Sequence, residues 1–406
     1  MIELLPHLFR TEYRKIVSVL GKKFGFGQLE IAEDIVSDTF LTAAETWGLK
    51  GLPANPTAWL YNVAKNKAIN YLERDQLFDH KIAPTLKREP KENQEHDIDL
   101  SPRNINDSQL QMMFAVCHPS IPVESQIGLS LRILCGFGID EIADAFLADK
   151  DTINKRLFRA KQKLREENVK ISLPGPVELD ARLQAVLRTI YLFFNEGYYS
   201  VSQNKTLRKD VCFEAIRLCY MLIENASTNK PDANALLSLM CFHASRFDAR
   251  LDEKGEQILY EEQDTTRWDT DLVRRGEYFL NLSASGNRLS KYHVEAAIAY
   301  WHTNKTDTQK WDRILELYNE LLMIEYSPVA ALNRTYALSK VHGKEAAIVE
   351  AKKLELPDNH FYFALLGELY SGIDTTEAIK NFSTALDLAK TVSDKNTIRK
   401  KIEKLK

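Results

Sequence analysis

Two stretches decide the fold of the N-terminal part: AEDIVSDTFLTAAETW, residues 32–47, and TAWLYNVAKNKAINYLER, residues 57–74. In both stretches the apolar residues recur three and four positions apart, which predicts amphipathic helices. Asn55 and Pro56 predict the start of the second helix, because asparagine caps a first turn and proline at the first helical position costs no hydrogen bond. We therefore expect a small helical bundle over residues 1–75.

The polar faces of these two helices are candidates for binding partners. Asp34 and Asp38 lie four residues apart on one helix face, so an acidic stripe beside Phe40 suits docking onto a basic partner. The second helix carries neutral amides, which can read base edges, and cations, which can meet phosphate. These residues are Asn62, Lys65, Asn66, Asn70 and Arg74, preceded by the loop residues Leu52, Pro53, Ala54 and Asn55. Ordinary solvated surface is the alternative for both faces.

Residues 76–107 lose the helical periodicity. They are rich in Glu and Asp and contain Pro84, Pro90 and Pro102. Such a segment buries too little apolar surface to offset the entropy lost on ordering. We predict a flexible acidic linker between two small helical domains.

Residues 108–170 have the spacing of a helix-turn-helix. A helix that ends at Cys135-Gly136-Phe137-Gly138 is followed by a short helix over residues 140–146 and by a longer helix that Asp149 is suited to cap. The longer helix is strongly basic, with Lys150, Lys155, Arg156, Arg159, Lys161, Lys163 and Arg165. Because the whole chain has a net charge of -3, any DNA contact requires a local patch of this kind. A solvated helix face is the alternative.

Residues 177–406 follow a break at Pro174-Gly175-Pro176 and are almost wholly helical in pattern. Residues 249–252 and 257–260 predict one short β-hairpin. Ala331-Leu332 and Ala346-Ala347 recur as Ala364-Leu365 and Ala378-Ile379 at an offset of about 33 residues, which indicates helix-pair repeats. The predicted fold class is therefore all-α, with a large, partly tetratricopeptide-like C-terminal domain.

A mixed cluster surrounds the predicted hairpin. Its members combine cations, a carboxylate and an indole: Arg246, Asp248, Arg250, Arg267 and Trp268. This composition suits a regulatory site for a peptide or a small ligand, and an internal salt-bridge network is the alternative.

The composition places the chain among ordinary globular proteins, since 44% of its residues are hydrophobic and 27% are charged. Its five cysteines are odd in number and form no CxxC pair, which favours a reducing cytoplasm. The absence of a long apolar run argues against a membrane span. Neither Cys117-His118 nor Cys241 with His243 has the spacing of a nucleophilic or metal site. We expect no enzyme activity, no cofactor and no metal.

The N-terminal stretches AEDIVSDTFLTAAETW, GLPANP and TAWLYNVAKNKAINYLER strongly resemble region two of extracytoplasmic-function sigma factors. DTINKRLFRAKQKLRE, residues 151–166, is similar to region four of the same family. LFFNEGYYS, YHVEAAIAYWHT and SPVAALNRTYALSKVHG look like segments of the subfamily with a tetratricopeptide-like extension. Relative to that family Leu147 and Asp151 are departures, because smaller residues are common there.

The resemblance implies a role for each candidate residue. Asp34, Asp38 and Phe40 would contact core RNA polymerase. The minus-ten element of promoter DNA would be read by Leu52, Pro53, Ala54, Asn55, Asn62, Lys65, Asn66, Asn70 and Arg74. The minus-thirty-five element would be bound by Thr152, Asn154, Lys155, Arg156, Phe158, Arg159 and Lys161, with Arg156 and Lys161 nearer phosphate. The linker would thread the RNA-exit path of the polymerase.

These observations predict a sigma factor that is regulated in cis by its C-terminal domain, whose partner is a protein or a small ligand. The alternative is a polymerase-independent helix-turn-helix regulator that carries a ligand- or protein-binding module. A third hypothesis makes the C-terminal domain a sensor enzyme or a ligand-binding module whose product or occupancy switches the remainder of the chain.

Overall fold

The computed structural model describes residues 4–82, 98–146, 148–199, 209–250, 258, 260–304 and 307–406. These residues are mainly helical and form no strand, so the predicted all-α class is confirmed. The chain divides into two compact units, Met1–Leu192 and Phe193–Lys406. In the described parts of the chain no helix is long and apolar enough to cross a membrane.

In its described residues the first unit contains seven α-helices and most of an eighth. Their bounds are Leu4–Phe24 (α1), Leu29–Lys50 (α2), Pro56–Ile82 (α3), Pro102–Val116 (α4), Val123–Leu129 (α5), Ile139–Phe146 (α6), Lys150–Glu166 (α7) and Pro176–Tyr199 (α8). A π-helical turn, Ser130–Leu134, continues α5. Residues of α8 through Leu192 belong to this unit.

Helices α1 to α3 form the predicted bundle. Its core contains fully buried side chains from all three helices, including Tyr13, Ile16, Leu29, Val36, Leu60 and Ala64. The start of α3 is the one the sequence predicts, because the Ala58 N–H donates to Asn55 Oδ1 at 3.0 Å. Local capping chemistry therefore fixes where the loop after α2 ends and where the amide-bearing helix begins.

The predicted linker over residues 76–107 is longer than the structure allows. Helix α3 continues to Ile82, and α4 begins at Pro102, where Ser101 Oγ accepts from the Asn104 N–H at 3.4 Å. Pro102 therefore starts a helix at a position where its missing N–H costs nothing, and does not interrupt one. The central part of the predicted linker, with Pro84 and Pro90, lies outside the described residues.

The predicted separation of the first two domains is wrong for this structure. Helix α4 packs along α1 within the same compact unit. The contact is so close that a Cβ added at Gly21 would lie 2.7 Å from Cε of the fully buried Met112. Apolar burial between α1 and α4 thus joins two parts that sequence periodicity alone presents as independent.

The helix-turn-helix segment has its helices at the predicted positions. Ile142 and Ala143 are buried between the short and the long helix, as expected. Asp149 caps α7 by accepting from the Thr152 N–H at 2.7 Å. Leu147, which departs from the family pattern, lies outside the described residues.

The predicted start of the C-terminal domain at residue 177 falls inside the first unit. Arg182 Nη2 donates to the Phe114 carbonyl at 2.6 Å, and Thr189 Oγ1 donates to Gln126 Oε1 at 2.7 Å. The Leu183, Val186 and Ile190 side chains are buried on the same stretch. These contacts, which depend on residues far away in sequence, place the boundary near Leu192.

The second unit is a succession of helices. Their bounds are Lys209–Glu224 (α9), Pro231–Ala244 (α10), Thr270–Ser283 (α11), Lys291–Thr303 (α12), Lys310–Ile324 (α13), Pro328–His342 (α14), Lys344–Lys352 (α15), His360–Tyr370 (α16), Thr375–Leu388 (α17) and Val392–Glu403 (α18). Helix α10 is buried on nearly every side and packs on α9, α11 and α12. From α12 onward each helix packs on the next.

The internal echo corresponds to two helix pairs, α14 with α15 and α16 with α17. Ala347 is fully buried and its counterpart Ile379 is partly buried, whereas Ala346 is exposed and its counterpart Ala378 is fully buried. The echo is imperfect, because Ala331 is buried whereas its counterpart Ala364 is only partly buried.

Two 3₁₀ turns, Phe247–Ala249 and Tyr260–Glu262, flank the position of the predicted hairpin. The Ile258 N–H donates to the Arg250 carbonyl at 2.8 Å, which brings the two sides of this segment together without forming a strand among the described residues. Residues 251–257 and 259 of the predicted hairpin lie outside the described residues.

Candidate polymerase and promoter interface

The acidic face of α2, defined as Asp34 and Asp38, is exposed as predicted from the sequence. The Asp38 carboxylate pairs with Lys67 of α3, whose ammonium also donates to Thr42 Oγ1 at 2.9 Å. Phe40, by contrast, is only 5% exposed and packs edge-on against Phe9 with ring centres 5.0 Å apart. The prediction of a direct polymerase contact by Phe40 is therefore wrong for this conformation, since Phe40 belongs to the core stripe of α2.

Glu33 is a residue whose position the sequence reasoning missed. Our sequence predictions do not include it beside Asp34 and Asp38, yet it is only 8% exposed. It pairs with Lys161 of α7, and Arg132 Nε lies 3.4 Å from its other carboxylate oxygen. Its spacing could have revealed this, because Glu33 lies three residues before Val36 and seven before Phe40, on the buried stripe.

The amide face of α3 is accessible. Asn62, Asn66, Asn70 and Arg74 are exposed and recur at spacings of four along the helix, so they form one line. Lys65 is partly buried beside them. This line presents donors and acceptors without a strong charge, which is the composition that reads bases in preference to backbone.

The loop before α3 is anchored at its base and open at its tip. Trp47 and Trp59 pack edge-on with ring centres 5.4 Å apart and hold the end of α2 against the start of α3. Gly51, with a φ of 83°, ends α2 in a conformation that favours glycine. Leu52, Ala54 and Asn55 are exposed, and Pro53 is partly buried.

A cavity of about 400 Å³ lies between α3 and the segment that precedes α4. Its lining residues come from both sides: Ala58, Tyr61, Asn62, Lys65, Ile98, Asp99 and Leu100. Ile98 is 3% exposed, so this segment is firmly placed next to two of the residues predicted to read the minus-ten element. An acidic part of the chain itself therefore adjoins the candidate DNA surface.

The basic face of α7 divides into an open part and an occupied part. Thr152, Asn154, Lys155 and Arg159 are exposed, and Phe158 is 59% exposed. Arg156 is partly buried, with its guanidinium 5.4 Å from the centre of the Phe146 ring. Lys161 is engaged by Glu33, so the predicted phosphate contact is not available in this conformation.

Charged contacts between described residues join the α1–α3 bundle to the predicted helix-turn-helix segment. Besides the two pairs of Glu33, Arg10 Nη2 lies 2.8 Å from Glu141 Oε1. The Arg10 and Arg132 guanidinium groups also lie 5.8 Å and 5.6 Å from the ring centres of Phe137 and Tyr13. We call the group formed by Glu33, Lys161 and Arg132 the Glu33 cluster.

The candidate regulatory residues of the second unit are only partly brought together. Arg246, Arg250 and Trp268 lie around Tyr198 and Tyr260. Asp248 pairs instead with Lys209 of α9, and Arg267 is exposed. Among the residues that the structure describes, no group of three or more His, Cys, Asp or Glu side chains is arranged to hold a metal ion.

Comparison with known proteins links these surfaces to two families. Residues 8–77, which cover most of α1 to α3, match the sigma-70 region 2 family. Residues 182–284 match a family of unknown function (DUF6596). An uncharacterized protein of Rhizobium meliloti is 30% identical over 387 residues, which span 94% of this chain and 91% of that protein. No solved structure matches the chain.

Proposed function

We propose that this chain, whose residues 8–77 match the sigma-70 region 2 family, directs core RNA polymerase to specific promoters as an extracytoplasmic-function sigma factor. In this proposal the acidic face of α2 binds polymerase, α3 and its preceding loop read the minus-ten element, and α7 reads the minus-thirty-five element. The observation that carries the proposal is the accessible amide face of α3 within the region 2 match. The exposed basic part of α7 supports it.

Binding of core polymerase to the full chain tests the first part. Reversing the acidic face with Asp34→Lys and Asp38→Lys should weaken the complex, because both carboxylates are exposed and the change costs little stability. The matched control is Glu178→Lys with Asp180→Lys, which makes the same charge change at exposed positions of α8. Equal affinities of the two double variants would refute the assignment of α2.

A polymerase-independent regulator is the second candidate function, and the exposed basic part of α7 is the observation that favours it. Such a protein would bind specific DNA through α7 without needing α2 or α3. Measuring promoter-specific binding with and without core polymerase separates the two. Specific binding that needs no polymerase, with no polymerase complex formed, would favour this candidate.

The sigma-factor proposal requires the first unit to open. The two promoter elements are centred roughly 25 base pairs apart, or about 85 Å at 3.4 Å per base pair. In the structure Lys161 of α7 contacts Glu33 of α2, so these helices cannot reach both elements at once. We infer that the described conformation is a closed form whose Glu33 cluster is broken when polymerase and promoter bind.

Regulation in cis by the second unit is also part of the proposal. Deleting the chain after Tyr199 tests it, since this cut keeps the part of α8 that packs on Phe114 and Gln126. The expected result is a changed rate of transcription in vitro from a target promoter, with the helix content of the remaining part retained in circular dichroism. An unchanged rate would exclude a regulatory role for the second unit.

A further inference from the structure

Two buried cations and one half-buried cation in the second unit surround two tyrosines. The Arg250 guanidinium carbon lies 3.9 Å from the centre of the Tyr198 ring, and the residue is 6% exposed. Arg246 Nη2 lies 3.3 Å from Tyr198 Oη, and its guanidinium lies 5.5 Å from the centre of the Tyr260 ring. Lys310 is 3% exposed and donates to Tyr260 Oη at 2.6 Å. We call Arg246, Arg250 and Lys310 the cationic cluster.

The two arginines of the cationic cluster lack carboxylate partners among the described residues. Asp248, which lies between them in sequence, pairs with Lys209. Within the described part of the chain the Arg250 guanidinium donates one hydrogen bond, a long one of 3.5 Å to the Tyr198 carbonyl. A guanidinium has five donors and is costly to remove from water without an anion, so this placement calls for a negative partner.

The positive charges of the cationic cluster contribute to the lowered pKa values of two neighbouring histidines. Burial, together with the charges of Arg246 and Lys310, lowers the pKa of His302 to about 3. Burial likewise holds the pKa of His243 well below its usual value, and Arg246 and Arg250 act in the same direction. Both rings are therefore neutral near pH 7 and add no charge to the cluster.

An unsatisfied polar atom lies at the same place. His302 Nδ1 is buried and has no hydrogen-bond partner among the residues that the structure describes, although its ring packs edge-on against Tyr260 with ring centres 4.9 Å apart. Buried polar atoms in folded proteins are nearly always hydrogen-bonded, so an unpartnered one indicates a missing group. This observation is independent of the charges of Arg246 and Arg250.

We propose that the cationic cluster binds the phosphate group of a small molecule. Two guanidinium forks and one ammonium supply three positive charges, which suits a dianion better than a singly charged carboxylate. The rings of Tyr198 and Tyr260 lie against the guanidinium groups of Arg250 and Arg246 and limit their movement before a ligand arrives. The site depends neither on polymerase nor on promoter DNA, so it stands apart from the proposed sigma-factor function.

The proposal is tested by titrating the full chain with inorganic phosphate and with pyrophosphate. Binding is measured by calorimetry and by thermal unfolding at constant ionic strength. We expect saturable binding and a midpoint of unfolding that rises with ligand concentration. Acetate at the same concentrations should bind at least tenfold more weakly. Acetate that binds as tightly as phosphate would overturn the phosphate assignment, and a shift that never saturates would overturn the site.

Variants locate the site. Arg246→Gln, at a half-buried position, should weaken phosphate binding at least tenfold, and Arg250→Lys should weaken it as well, because it keeps the charge and removes the fork. The control is Arg274→Gln on α11, whose exposed side chain pairs with Asp271 outside the cluster. The proposal fails if folded Arg246→Gln protein binds phosphate as well as Arg274→Gln protein does.

Discussion

Replacing Glu33 with glutamine should open the first unit. Glutamine keeps the shape and can still accept a hydrogen bond from Lys161, so the change removes one buried negative charge and little else. Lys161 and Arg132, whose side chains are 13% and 23% exposed, would then face each other's positive charge without a carboxylate between them.

The size of the effect follows from this burial. Removing one partner of a fully buried ion pair costs about 3 to 5 kcal/mol. The side chains here retain some exposure, and Arg132 lies near Glu33 without a well-formed hydrogen bond, so we expect about 2 kcal/mol. A cost of about 2 kcal/mol corresponds to roughly a 30-fold shift toward the open form. Apparent affinity for core polymerase should improve by up to that factor, since a larger fraction of the protein is competent to bind.

Energy transfer between dyes on α2 and α7 measures the opening directly. Glu45→Cys and Glu166→Cys provide exposed attachment points, whereas the five natural cysteines are all buried. Burial raises the pKa of Cys117 to about 11 and that of Cys241 to about 12, so these natural thiols should react slowly. Lower transfer efficiency is expected for Glu33→Gln and no change for Glu73→Gln, an exposed residue of α3. Identical transfer and identical polymerase affinity in the two variants would refute the closed form.

Three further predictions concern single residues. Phe40→Ala should lower the free energy of unfolding by about 3 to 4 kcal/mol in urea titrations, because Phe40 is a core residue; a loss of polymerase binding without loss of stability would restore its predicted role. Arg159→Ala should reduce affinity for promoter DNA more than for unrelated DNA, because a base contact is lost as well as a charge; equal losses would reassign it to phosphate. His302, whose folded-state pKa of about 3 lies below that of the unfolded chain, takes up its proton only on unfolding, so stability falls as pH drops below about 6.5. Between pH 7 and pH 5 this costs about 2 kcal/mol, and His302→Gln should remove that part of the pH dependence.

The features that the sequence predicts well are local. Asn55 and Asp149 cap helices by bonding to N–H groups three residues away, so their roles can be read from the chain itself. The same is true of the break before Pro176, where α8 begins. Helix positions and the order of the candidate DNA-reading surfaces follow from such signals.

The features that it predicts poorly depend on partners distant in sequence. Glu33 is buried only because Lys161 and Arg132, roughly 100 residues or more further along, approach it, and periodicity cannot supply that information. The sequence predicts Phe40 as a polymerase contact, but its spacing also fits the apolar stripe of α2. Packing against Phe9 decides between these two positions. The boundary at Leu192 is likewise set by tertiary contacts of Arg182 and Thr189.

Closure of the first unit and promoter binding compete, because both use side chains of the Glu33 cluster. Lys161, which the family resemblance assigns to DNA phosphate, neutralises Glu33 in the closed form, and Glu33 directly precedes Asp34 of the acidic face. A DNA phosphate near Lys161 therefore weakens its hold on Glu33, and a basic polymerase surface near Asp34 offers Glu33 another partner. Ligand at 100 times its dissociation constant stabilises the form it binds by about 2.7 kcal/mol, which is comparable to the ion-pair contribution of about 2 kcal/mol. Binding of polymerase and promoter can therefore offset the contribution of the ion pair to the stability of the closed form.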